Sequence, residues 1–583
     1  MGLSVEGSSI GWTQTEKAAP NIQKWATEIE FCLVDVNPDT QRATLLLDQE
    51  KVIRQWEKSA ASQSDPITLQ WECVKYVVEA TPAKPYTGKI EDLMTVEENM
   101  KRRRQIIENH LSSNQHTISL SFFPRTGADG PWTTPNGQEK KEYSLCSLPR
   151  YQTLPENVFQ RRKTHKKTNI PVFRDSQTPT PFHDVSRSGE NIEGHLCLDE
   201  LEVGIGSCSL QATMQAPSQA DARWLHDQLV PLAPVFLAMT AAVPIWKGYL
   251  SDTDVRWERF GDLLDDRRPE EIEITHPRWT WNRTYLSSEK PPGVDSCPSQ
   301  MIDPAIKQRL LDGDMDECLA THFASILSRD PLILTQADMG KDNTSNTRLF
   351  ELLHGLTWYA VRLKPPTSDN GPGWCVELRT MESQLTDKAN AAFAIFTYLL
   401  SRAIVDLKLN FYIPIDRVGE SMDIAKNRDA VRQSKMWFRR HGWLSGPPHS
   451  IRPRRSMCKD NHLNGKDGST GDVALMTANE IFNGEADDHG FPGLVPIVRY
   501  YLDYSKMPPT EQARILPYLD LISQRASGES PTPATWMRDF VRSHKDYQQD
   551  SYVSERICYD MMQEIVRMND QPELEGLYSA RCN

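Results

Sequence analysis

Five glutamates stand where the flanking residues would bury them. Glu28 and Glu30, in WATEIEFCLV, alternate with Ile29, Phe31 and Leu33, the two-residue period of a strand. Glu72 and Glu79 close the two ends of a strand-like segment, WECVKYVVE, and Glu377 precedes Arg379 by two residues in WCVELRTME. In that last run Glu377 and Arg379 share one face, and Val376 and Leu378 the other. Burying an unpaired carboxylate is costly. Two or three converging on a divalent cation would remove that cost. An all-oxygen donor set suits Mg²⁺ or Mn²⁺ and not zinc, and Mg²⁺ in turn suggests phosphate chemistry. Taken singly, each acid pair reads instead as the exposed face of an edge strand, salt-bridged to nearby bases.

The elements that must position these acids follow from the same patterning. Residues 25–34 read as the first strand and residues 118–123 as another. A capping box, TVEE, starts a helix at Thr95, with Glu98 closing the box. Ser218 and Asp221 open a second helix in the same way. An apolar helix covers residues 389–407. Thr532 followed by Pro533 makes a cap and first-position pair, and helical pattern also returns near Thr510. Residues 127–182 and 262–303 read as long surface loops, and 445–470 as a flexible polar one. The basic clusters RRKTHKK (161–167) and RPRR (452–455) lack interleaved aromatics and read as solvated loops rather than a nucleic-acid surface. No phosphate-binding G-x-x-x-x-G-K-[ST] loop, dinucleotide fingerprint, HExxH, C-x₂-C pair or G-x-S-x-G elbow occurs. Cys32, Cys73 and Cys208 sit among apolar neighbours and read as packed thiols.

A chain of 583 residues admits one large elaborated α+β enzyme or several domains. With 38% hydrophobic and 25% charged residues it is neither fibrous nor wholly disordered. Its net charge of −13 opposes nucleic acid or an anionic membrane as partner unless a basic surface is concentrated locally. Eleven widely spaced cysteines, an odd number, make no disulfide framework, so a reducing compartment, the cytoplasm, is expected. The opening MGLSVEGSSIGW has no basic patch before an apolar run, and Glu6 breaks the myristoylation pattern. The uncharged stretch 229–246 carries Pro231, Pro234 and Pro244 and reads as a buried, proline-broken helix rather than a membrane span.

The ordered segments WATEIEFCLVDV, VVEATPAKPY, TVEENMKRRR, ISLSFFPRTG, NIPVFRDSQTPTPF, SLQATMQ, GYLSDTDVRW, LDDRR, RLKPP, VELRTMESQLTD, GFPGLVPIVRYYL and HKDYQQDS carry a resemblance over nearly the whole chain. The sequence resembles the catalytic subunit of the eukaryotic type of glutamate–cysteine ligase. The resemblance implies an α+β fold related to glutamine synthetase, in which a curved, mostly antiparallel sheet forms an active-site funnel surrounded by helices. It implies one ligase unit over residues 1–583. A catalytic core would span 20–440, a flexible loop 441–475, and a helical part, 476–583, would pack on the core. The implied reaction is ATP-dependent amide formation with Mg²⁺ or Mn²⁺. ATP phosphorylates the glutamate γ-carboxylate, the cysteine amine attacks the acyl phosphate, and ADP and phosphate leave.

Residue by residue, the resemblance assigns metal binding to Glu28, Glu30, Glu72, Glu79 and Glu377. Arg379 would reach the transferred phosphoryl group, and Glu377, Glu30 and Glu79 would share in catalysis with it. Arg256, Gln211, Ile205, Ser207, Trp358 and Lys364 would line the substrate side. The partners implied are an amino-acid or other carboxylate and an amine, with no nucleic acid and no membrane; monomer and homodimer both stay open. Departures from the family pattern crowd the same region: Ala26-Thr27 for Gly-Asp, Cys73-Val74 for Tyr-Gly, Glu202 for Gly, Ile205 for Met, Val255 for Cys, Cys375 for Arg, and a changed residue at Ser207. Three readings therefore stay open at this point: glutamate–cysteine ligation, ligation of another acid or amine in specialised metabolism, and an inactive regulatory or binding homologue.

Overall fold

The computed structural model describes residues 24–59, 65–129, 132–133, 144–164, 166–184, 192–199, 201–295, 301–334, 347–366, 371–444, 472–486 and 490–570. The expected loop 445–470, the RPRR cluster and the last residues, which the sequence pattern leaves to fray, lie outside them, as does the opening segment.

The sheet that carries the acids has eight strands: β1 (Trp25–Asn37), β2 (Arg42–Leu45), β3 (Ile67–Trp71), β4 (Val77–Pro82), β5 (Gln115–Ile118), β6 (Leu210–Gln215), β7 (Val361–Lys364) and β8 (Cys375–Leu378). The main order is β7-β8-β6-β1-β4-β3, with β2 and β5 also on β1. Every pairing in it is antiparallel. β1 is the hub. Its first half lies between β6 (Glu28 opposite Gln211) and β4 (Glu30 opposite Glu79), and its second half pairs with β2 and β5.

Alternation along β1 separates two faces. Trp25, Thr27, Ile29 and Phe31 are buried in the core, while Ala26 and Glu28 remain partly open on the other side. The core face is covered by the helices Ile90–Glu108, Gln219–Leu229 and Asp387–Asp406, which share one large apolar cluster with it. Trp25 stacks on Tyr398 of the last helix with ring centroids 4.7 Å apart. Beneath the sheet, fully buried Arg103 donates to the carbonyls of Thr27 and Ala80 at 3.0 Å each, and to the Thr27 hydroxyl and the Tyr86 phenol. One guanidinium thus ties β1 to β4 behind the glutamates. A second apolar cluster joins the far half of β1 to the helix Glu555–Asp570.

Several local expectations need correction. The TVEE helix starts five residues earlier, at Ile90, and Thr95 sits inside it with its hydroxyl on the Asp92 carbonyl. A Ser/Thr-x-x-Glu pattern also fits a helix interior when the apolar face, here Ile90 and Leu93, already continues upstream. The strand at residues 118–123 stops at Ile118, where pairing to β1 ends. WECVKYVVE is no single strand: β3 ends at Trp71 and β4 begins at Val77, so Glu72 lies in the connection and Glu79 in β4. Within 127–182 the helix Pro149–Arg162 forms, started by proline at its first position. It takes up the start of RRKTHKK, where Arg161 pairs with Glu271 at 2.6 Å and Arg162 is buried; these bases are not solvated. The Ser218 and Thr532 caps form, accepting from the Asp221 and Thr535 N–H groups. Stretch 229–246 breaks into the buried helix Ala233–Thr240. Among the described residues no helix is long and apolar enough to cross a membrane.

Candidate active site

On the open face of the sheet the acids gather in two groups. Glu30, Glu72 and Glu79 each offer an oxygen within 4.8 Å of the others. β1 and β4 place Glu30 directly opposite Glu79, and the short connection after β3 swings Glu72 to them. Glu30 is held from both ends by the β6 side. Its Oε2 accepts the Ser209 N–H at 2.8 Å, and its Oε1 accepts the Ser209 hydroxyl and the Gln211 amide at 3.2 Å. The Glu72 carboxylate accepts the Cys73 N–H at 3.1 Å.

Like charges in a buried setting leave this group hungry for a cation. Burial, and then Glu72, push the Glu30 carboxyl up to about 8 against the pull of Arg256 and Arg379. Burial, followed by the charges of Glu28, Glu72 and Glu30, pushes Glu79 well above the usual carboxylate range. Burial also raises Glu72, opposed by the Cys73 N–H. The donor set is all carboxylate oxygen, which fits a hard divalent ion.

The second group is basic. Glu377 is fully buried on β8, opposite Arg362 on β7 and Thr213 on β6. Its carboxylate accepts Lys364 Nζ at 2.5 Å, Arg379 Nη1 at 2.8 Å and the Thr213 hydroxyl at 3.3 Å, with Arg362 Nη1 3.6 Å away. Burial alone would raise its pKa; Lys364, Arg379 and Arg362 together outweigh that and hold it well below the usual range. Lys364 also approaches Glu28 at 3.7 Å. Three cations against Glu28 and Glu377 leave an excess of positive charge beside the acid cluster. Gln211 links the two groups, giving its amide N–H to Glu30 and accepting Arg379 Nη1 at 2.5 Å.

Arg256 borders the acid group from behind. Its Nη1 reaches the Ser207 hydroxyl at 3.5 Å, and its guanidinium lies 5.7 Å from the centre of the Trp279 ring. Trp279 in turn pairs with Trp358 in a short parallel bridge, their rings 6.1 Å apart. Ile205 ends the short helix Leu201–Ile205 and packs on the apolar cluster of Leu154, Val158 and Leu264.

Of the acids expected together, Glu30, Glu72 and Glu79 form one cluster, while Glu28 and Glu377 face the cations. Arg379, Lys364, Gln211, Arg256 and Ser207 join them through the contacts above; Trp358 approaches Arg256 by way of Trp279, and Ile205 belongs to apolar packing. Sequence reasoning missed Ser209, Thr213, Arg362 and Glu382. The period of two would have found three of them, since Ser209 and Thr213 flank Gln211 and Arg362 precedes Lys364 by one alternation. Glu382 carries no such signal, because β8 has ended before it.

The model of the family described as glutamate-cysteine ligase matches residues 9–568. The glutamate–cysteine ligase of Neurospora crassa is 35% identical, over 97% of this chain and 88% of its own. That of Schizosaccharomyces pombe is 37% identical over 86% and 76%, and the human glutamate–cysteine ligase catalytic subunit 32% over 99% and 97%. Among solved structures, PafA in the crystal structure of its complex with the ubiquitin-like protein Pup aligns with a TM-score of 0.35 at 10% identity, over 91% of this chain and 69% of that one. That likeness is too slight to define the fold. A mixed α/β chain with an antiparallel sheet bearing carboxylates beside arginines is thus an ATP-dependent amide-forming ligase by class. It belongs to the glutamate–cysteine ligase family.

Proposed function

We propose that the protein joins the γ-carboxylate of glutamate to the amine of cysteine at the expense of ATP. The observation that carries this reading is the acid cluster of Glu30, Glu72 and Glu79 lying beside the cations Lys364, Arg362 and Arg379 on one sheet face, in a chain of this family. Glu30, Glu72 and Glu79 would hold Mg²⁺ or Mn²⁺, with Glu28 and Glu377 as flanking acids. An ion held there would supply positive charge against the phosphates, which otherwise repel the attacking carboxylate.

The chain's own residues then divide the work. Arg379 and Lys364 draw the triphosphate to the basic side of the face, which a funnel of surrounding loops would enclose. Arg379 stabilises the equatorial oxygens as the γ-phosphoryl group passes to a γ-carboxylate oxygen and ADP leaves. Gln211 holds Glu30 and Arg379 in fixed relation, so that the acid and phosphoryl sides move as one. Arg256, with the Ser207 hydroxyl and the Trp279 ring beside it, binds the amino acid. The cysteine nitrogen attacks the acyl carbon, the bond to phosphate breaks, and the amine proton is lost. Closure against water protects the acyl phosphate.

The relatives, all named for glutamate and cysteine, favour that pair over another acid or amine. Purified protein with ATP, Mg²⁺, glutamate and cysteine should yield γ-glutamylcysteine, ADP and phosphate in equal amounts, read by mass spectrometry and phosphate release. ATP consumption without that product, restored by a different acid–amine pair, would replace the substrate assignment while leaving the chemistry.

A further inference from the structure

We infer that Glu382, buried behind the site, is a positioning residue that aims Arg256 at the amino-acid substrate. The inference rests on the proposed ligase reading. Glu382 has no solvent exposure. Its Oε1 accepts the backbone N–H of Arg256 at 2.7 Å, and its Oε2 accepts the backbone N–H of Ala242 at 2.6 Å. The same Oε1 lies 4.0 Å from Arg256 Nε. One carboxylate therefore fixes the main chain at Arg256 and sets an acid beside the Nε of its guanidinium.

The placement of Glu382 is itself fixed. It follows Arg379 by three residues, bridges to Ser209, and its own N–H donates to the Thr240 hydroxyl at 3.1 Å. Ser209 is the residue whose N–H and hydroxyl hold Glu30. Glu382 thus stands where the segment following β8 that bears Arg379, the support of Glu30 and the segment bearing Arg256 meet.

The charge pattern gives this a purpose. Arg256 is almost wholly buried, and Arg379 repels it from across the site. A buried guanidinium needs a counter-charge. If Glu30 were the only acid near it, Arg256 would be drawn into the cluster of acids. Glu382, whose carboxyl burial pushes up to about 7 against the pull of Arg256, supplies that charge from the Nε side. It leaves the Nη end of Arg256 directed toward Ser207, the side on which the substrate carboxylate would bind. Glu382 touches no substrate atom in this account; it acts through Arg256.

The test is a double-mutant cycle. Glu382→Gln keeps the shape and removes the charge. It should raise the KM for glutamate by about tenfold, the size of one weakened charge-assisted hydrogen bond. The KM for ATP and kcat should stay within about threefold. In an Arg256→Gln background, Glu382→Gln should add little, because the residue through which it acts is gone. An unchanged glutamate KM, or the same loss in both backgrounds, would overturn the inference. Glu382→Asp serves if Glu382→Gln does not fold; failure of both to fold makes Glu382 a purely structural residue and also overturns it. Absence of wild-type turnover with glutamate would instead refute the substrate assignment, which separates the two failures.

Discussion

Arg379 uses one nitrogen for two acceptors, Gln211 and Glu377. Its side chain is held in place before any phosphate arrives, which is what transition-state stabilisation requires. Lysine at this position keeps the charge but cannot present a planar fork. Arg379→Lys should therefore lower kcat by about a hundredfold while the KM for ATP rises much less, read by steady-state ADP release. Glu30→Gln and Glu79→Gln should each lower turnover by about a hundredfold for a different reason, loss of a metal-ligand charge. Both should keep or raise the melting temperature of the metal-free protein, since each removes a buried acid whose ionisation the fold opposes. A fall in melting temperature with turnover intact would mark them as structural acids.

Strands explain which parts of this site could be read in the sequence. Glu28 and Glu30 were legible because the two-residue period puts alternate side chains on one face, and β1 keeps that period; Gln211 came from the family resemblance alone. The antiparallel register that sets Glu30 against Glu79 was not, since pairing between distant segments leaves no local mark. Nor was the turn that carries Glu72, because WECVKYVVE is apolar enough to pass for one strand. Glu382 lies past the end of its strand and owes its place to packing alone. The junction of β1, β4 and the connection after β3 also sets a pH dependence. Glu30, with its pKa pushed up to about 8, is protonated in the metal-free fold at pH values where the unfolded chain has already ionised it. A raised folded-state value means stability that is full below the unfolded pKa and lost as pH rises through the folded one. The metal-free protein should therefore be less resistant to urea at about pH 8 than at about pH 6. Millimolar Mg²⁺ should restore most of the difference by neutralising the same carboxylates. Equal urea midpoints at both pH values without metal would contradict this.

At the scale of the whole molecule, the family resemblance conveyed the class of enzyme and the ordered motifs, while composition excluded only the broadest alternatives. The helix Pro149–Arg162 was hidden in a stretch rich in Gly, Pro and basic residues, because its buried side is completed by Asp266 and Glu271, about a hundred residues away. The whole protein should depend on a hard divalent ion. Excess chelator should abolish ADP release, Mg²⁺ or Mn²⁺ should restore it, and Zn²⁺ should not, because the donor set is carboxylate with neither histidine nor thiol among its ligands. Full activity in chelator would remove the ion from the reaction. The hub position of β1 has one more consequence. A strand bonded to β2, β4, β5 and β6 cannot fray from an edge; its amide protons are released to deuterium only when both apolar clusters come apart together. Peptides covering residues 25–36 should thus be the slowest in the chain to take up deuterium, exchanging at the rate of global opening. The acids at Glu28 and Glu30 ride on that strand, so heat should extinguish turnover in step with complete unfolding and not before it.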